Sequence, residues 1–84
     1  MEVKHQCTPA ELGQVMDKYG TMVYRLAFSQ LRNGTDADDI YQEVFLKYYR
    51  KRPKFESEEH RRAWLLRVTL NTAKSYVTSA WFRH

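Results

Sequence analysis

Two groups of side chains have types and spacings suited to binding chemistry. Asp36, Asp39 and Glu43 recur at three- and four-residue steps, with Gln42 beside them. On a helix this sets them along one outer stripe, able to meet a basic partner helix through charge-assisted hydrogen bonds. The competing reading is a set of carboxylates that complement a helix dipole and face water. The second group is Phe55, His60, Arg61, Arg62, Trp64, Arg67, Asn71 and Lys74. Lys and Arg neutralise phosphates, aromatic rings stack on unpaired bases, and a side-chain amide can bond a base edge. Arg67, Asn71 and Lys74 follow at steps of four and three, on a single helix face. Asn71 is a poor interior helix residue, which favours a tertiary or functional reason for it. Trp64 taken alone reads as a core anchor.

No catalytic constellation accompanies these groups. His5, His60 and His84 are far apart, with no HExxH and no Cys/His pair at metal-ligand spacing. The glycines stand singly at 13, 20 and 34, so no phosphate-cradling loop exists. Glu58, Glu59 and His60 are read as the residues a helix N-terminus collects rather than as an acid–base cluster. The expectation is a non-enzymatic chain with no cofactor, no metal and no small-molecule substrate.

The net charge of +4 divides unevenly. Residues 1–43 hold four Lys/Arg against seven Asp/Glu, a balance of −3, and residues 44–84 hold ten against three, a balance of +7. Such a split fits two different partners, or one partner and a nucleic acid, or equally two solvated faces. Eighty-four residues make one domain, near the lower limit for folding without metals or disulfides. The lone Cys7 excludes an internal disulfide and suits a reducing compartment. With no signal-peptide core and no apolar run near the ~20 residues of a membrane span, a soluble, cytoplasmic chain is expected.

The elements that must carry these residues are three helices. Thr8-Pro9-Ala10-Glu11 marks a start, with Thr8 as N-cap and Pro9 in the first turn. Leu12, Val15, Met16, Tyr19, Met22, Val23, Leu26 and Leu31 then recur at helical spacing, predicting a helix over 9–32 that Asn33-Gly34 ends in a left-handed cap. Thr35 is the expected N-cap of a second helix over 35–52, with Asp36, Asp38 and Asp39 in its first turn and Pro53 after it. Ser57 caps a third, over 57–80. That helix is apolar on two sides: Trp64, Leu65, Val68, Thr72 and Tyr76 on one, and Leu66, Leu70, Ala73 and Val77 on the other. Residues 1–8 are expected to be flexible, and the aromatic end Trp81-Phe82 suggests a domain excised from a longer protein.

The run Asp36-Ala37-Asp38-Asp39-Ile40-Tyr41-Gln42-Glu43-Val44-Phe45-Leu46 resembles the D-A-E-D-[LIV]-x-Q-E-[VA]-F-[LI] of region 2 in bacterial sigma factors of the extracytoplasmic-function group. Phe55 follows at the familiar distance, and then Ala63-Trp64-Leu65-Leu66-Arg67-Val68-Thr69-Leu70-Asn71 is similar to the family's x-W-L-x-R-I-A-x-N. The resemblance covers about residues 12–82. It implies an all-α bundle of three main helices. It also implies that Asp36, Asp39, Gln42 and Glu43 dock on the coiled-coil clamp helices of the RNA polymerase largest subunit.

The resemblance further implies that the loop over 53–62 and the following helix read and open the promoter minus-ten element. A non-template-strand base would be flipped into a pocket between loop and helix. Phe55, Trp64 and Asn71 carry the family's correspondence, whereas Arg61, Arg62, Arg67 and Lys74 are backbone-contact candidates from charge and helical phase. An anti-sigma regulator is a further expected partner. Binding to such a regulator or to the clamp, without DNA reading, is the alternative function. The family's helix-turn-helix domain is expected to be absent from this chain. The sequence departs from the family pattern at Tyr41, where Thr or Ser is frequent, and at Ser75 and Thr78, where Asp and Arg are common. The loop Glu56-Ser57-Glu58-Glu59 is acidic for a segment that approaches DNA.

Overall fold

Of the first amphipathic pattern Tyr19 and Val23 are buried, together with Gly20 and Ala27 on the same stripe of helix α1 (Pro9–Leu31). The computed structural model describes residues 9–83, with side chains described as far as residue 78. Two more helices follow, α2 (Gly34–Lys51) and α3 (Glu58–Arg83), and each of the three packs on the other two. There is no strand among the described residues, so the architecture is an all-α three-helix bundle. Ile40, Leu65, Val23 and Val44 are its largest fully buried apolar side chains. Burying each contributes about 1.5–3 kcal/mol. Thr8 and the side chains of Trp81 and Phe82 lie outside the described residues.

The turn between α1 and α2 differs from its expected chemistry. Neither Asn33 nor Gly34 is left-handed; Arg32 is, at φ 57°, and its N–H donates to the Phe28 carbonyl at 2.6 Å. Asn33 is extended (φ −147°, ψ 124°), and its Oδ1 accepts the Asp36 N–H at 3.1 Å. Asn33, not Thr35, is therefore the N-cap of α2, as the stronger capping side chain of the two.

At the far end of α2 a second left-handed arginine, Arg52 (φ 47°), donates its N–H to the Tyr48 carbonyl at 2.9 Å, and Pro53 prevents continuation. Ser57 caps α3 as expected, its Oγ accepting the His60 N–H at 3.1 Å. The loop is thus shorter than 53–62, and Arg61 and Arg62 stand in the first turns of α3.

One side of α3 faces the core through Leu65, Thr69, Thr72 and Ala73. The Thr69 hydroxyl satisfies itself on the Leu65 carbonyl at 2.6 Å, and Thr72 Oγ1 accepts from Lys47 Nζ at 3.1 Å. On the other side, Leu70 and Val77 remain 40% and 48% exposed while Leu66 is half-buried, so the second apolar side is covered only in part by α1 and α2. Ala73 belongs to the buried side rather than to that one.

Candidate docking and nucleic-acid faces

The acidic stripe lies along the outside of α2. Ala37, Ile40, Val44 and Phe45 turn inward and leave Asp39 and Gln42 exposed, with Asp36 and Glu43 half-buried at the margin. The carboxylates at the start are anchored from α3: Tyr76 Oη donates to Asp36 Oδ1 at 2.8 Å and lies 3.3 Å from Asp39 Oδ2. The hydrogen bond to Asp36, followed by burial, pushes the Tyr76 hydroxyl up to about 12, so it is a proton donor at neutral pH.

The basic, aromatic group divides in two. Phe55 and Trp64 are half-buried and share a cluster with Tyr48: Phe55 stacks on Tyr48 at 6.1 Å, and Trp64 sets its edge against Tyr48 at 5.8 Å and Phe55 at 5.9 Å. Arg61 belongs to the same cluster. Its guanidinium covers the Phe55 ring at 4.9 Å, donates to the Tyr48 hydroxyl and reaches Glu58 Oε2 at 3.3 Å. These three residues hold the loop against α2.

Arg62, Arg67, Asn71 and Lys74 are exposed instead. Among the described residues, no hydrogen bond or ion pair ties them down. About the α3 axis, Arg67, Asn71 and Lys74 project roughly 140–180° away from Tyr76. The helix therefore separates the acidic stripe from the basic row.

Of the acidic residues Glu56, Glu58 and Glu59, Glu58 is engaged by its neighbours. Its Oε1 accepts from the Tyr19 hydroxyl at 2.5 Å and lies 3.6 Å from Lys18 Nζ, while Oε2 meets Arg61. The Tyr19 hydrogen bond, aided by Arg61 and Lys18 against a burial cost, holds this carboxyl below its ordinary range. In the loop itself, His60 Nδ1 accepts the Glu56 N–H at 3.2 Å, and the His60 ring stands edge-on to Phe55.

Beside the loop is a groove of about 460 Å³, lined by Lys18, Tyr19, Arg52, Lys54, Phe55 and Glu58 among others. Its lining comes from α1 and the end of α2 as well as from the loop and α3, so its walls extend beyond loop and following helix alone. Tyr19 and Tyr76 are legible in the sequence as apolar stripe residues only. Their hydroxyl partners are not neighbours in sequence, and no local pattern announces them.

The sequence profile of the Sigma-70 region 2 family matches residues 15–83, and the chain belongs to that family. It is a region 2 domain of the extracytoplasmic-function kind, by its likeness to sigma factors of that group. The ECF RNA polymerase sigma-E factor of Haemophilus influenzae is 43% identical over 44 residues, covering 52% of this chain and 23% of that protein. The RNA polymerase sigma-H factor of Pseudomonas aeruginosa is 31% identical over 62 residues, covering 74% of this chain and 32% of that protein. The ECF RNA polymerase sigma-E factor of Escherichia coli K12 is 39% identical over 44 residues, 52% of this chain and 23% of its own length. The chain thus spans a third or less of these relatives. No solved structure gives a significant match. No helix among the described residues is long and apolar enough to cross a membrane.

Proposed function

We propose that this chain is a transcription-initiation domain that works by binding, in the bacterial cytoplasm, with α2 on RNA polymerase and α3 on promoter DNA. Asp36, Asp39, Gln42 and Glu43 present acceptors to the basic clamp coiled coil of the largest subunit. Arg62, Arg67 and Lys74 meet phosphates, and Asn71 offers its amide to a base of the non-template strand in the minus-ten element.

Extruding a base costs a few kcal/mol of stacking, which contacts in the groove beside Phe55 and phosphate pairing would offset. Phe55, Trp64 and Arg61 shape that side of the molecule, and their packed rings and paired guanidinium suit the wall of a site better than a free stacking platform.

The observation that carries this reading is the separation of charges across α3. The stripe on α2 is acidic and outward, while Arg67, Asn71 and Lys74 are outward on the far side. A single partner cannot easily cover both, and a polyanion is repelled by one and drawn to the other. The reading is tested by titrating single-stranded non-template oligonucleotides and the matching duplex against the chain. Tighter, salt-sensitive binding of the single strand, reduced by Asn71→Ala, is expected. Equal affinity for duplex and single strand contradicts base capture.

A further inference from the structure

Two carboxylates one helical turn apart repel each other and would spread into separate rotamers without a shared donor. Here they converge on a single hydroxyl, with Tyr76 Oη at 2.8 Å from Asp36 Oδ1 and 3.3 Å from Asp39 Oδ2. A tyrosine has one hydroxyl proton, so the shorter contact is the main bond and the longer one its weaker arm. Each carboxylate offers about four lone-pair sites, so both keep acceptors for an incoming cation. The anchoring is rigid at both ends. The half-buried Tyr76 ring packs against the core, and the Asn33 cap fixes the backbone beneath Asp36.

We propose that Tyr76 is a positioning residue for polymerase docking: its hydroxyl holds the Asp36 and Asp39 carboxylates at a fixed spacing for a basic helical partner. The inference rests on the reading of the α2 stripe as the polymerase-binding face. Its physical basis is preorganisation, since side chains already restrained in the free protein lose less freedom on binding. Tyr76 need not touch the partner for this effect, because it acts through the two acids. Its substitution therefore weakens binding only while those acids are present.

The test is the affinity of the chain for bacterial core RNA polymerase, compared among variants at position 76. Tyr76→Phe and Tyr76→4-fluorophenylalanine both keep the ring and lose the donor. Tyr76→4-aminophenylalanine restores an N–H donor at the same place. The two non-donors are expected to bind about three- to tenfold more weakly, with unchanged helical circular dichroism, and the amino variant to recover to within about twofold of the parent. In an Asp36→Ala/Asp39→Ala background, Tyr76→Phe should cost less than about twofold. Unchanged or tighter binding of the non-donors, a failure of the amino variant to rescue, or an undiminished loss in the Asp36→Ala/Asp39→Ala background overturns the role given to Tyr76. Absence of binding by the unsubstituted chain instead overturns the docking reading on which it rests.

Discussion

The Tyr19 hydroxyl donates a 2.5 Å hydrogen bond to the Glu58 carboxylate, 39 residues further along the chain. It ties the middle of α1 to the first turn of α3, and so fixes where the loop and the basic helix begin. Lys18 and Arg61 flank the same carboxylate. One of the three acidic residues between 56 and 59 is thus a fastening between helices.

Tyr19→Phe should therefore lower the thermal midpoint, on the order of 5 °C for a domain of this size. The pH dependence has a defined sign. Because the Glu58 carboxyl is held low in the folded chain, its contribution is present above the ordinary carboxylate range and is lost as pH falls through the folded value. Acid unfolding monitored by circular dichroism should show a shallower pH dependence in Tyr19→Phe. An identical profile would mean that this bond carries no stability.

Tyr76 predicts the opposite window. Its hydroxyl is raised from 10.0 to about 12 in the folded chain. The stability it contributes is fully present below the ordinary value and is lost as pH rises through the folded one. Alkaline denaturation should have a component in that range that Tyr76→Phe removes, measured as unfolding midpoints in denaturant at a series of pH values.

The glycines of α1 differ in their surroundings. A Cβ at Gly13 would meet nothing within 4 Å, whereas one at Gly20 would lie 2.9 Å from the Tyr41 hydroxyl oxygen and 3.3 Å from its ring. Gly13→Ala should stabilise the chain by about 0.5–1 kcal/mol through helix propensity. Gly20→Ala should gain less or destabilise, with the difference narrowed in a Tyr41→Phe background. Denaturant melts of the four variants decide this, and equal gains at the two glycines would contradict the close approach.

Left-handed Arg32, at φ 57°, is exposed and costs about 1 kcal/mol relative to glycine in that conformation. Arg32→Gly should raise stability by about that amount in a denaturant melt, with the turn unchanged. A loss of stability would mean that the arginine side chain contributes more than its backbone strain removes.

Much of this molecule was legible in the sequence because helices announce themselves locally. The apolar spacing through Tyr19 and Val23 and the cap at Ser57 are signals carried by neighbouring residues. The turn at 32–34 was less legible, because Asn33, Gly34 and Thr35 each have a plausible role in either a stop or a start. Backbone geometry alone makes Arg32 the left-handed residue and Asn33 the cap.

The site divided in the same way. Helical phase correctly exposes Arg67, Asn71 and Lys74, since nothing tertiary competes for them. Arg61 has the same charge, but Tyr48, Phe55 and Glu58 surround it. The hydroxyls of Tyr19 and Tyr76 find their acids 37 to 40 residues away, beyond any local pattern.

The central claim, that the acidic face of α2 is the polymerase-docking surface, is tested most directly by one affinity measurement. A polymerase clamp-helix fragment is titrated against the parent chain and against Asp39→Arg, whose exposed side chain leaves the core untouched. Binding by the parent and a loss of at least about tenfold on charge reversal, with the helical signal intact, is the predicted result. Equal binding of the two chains would contradict the account.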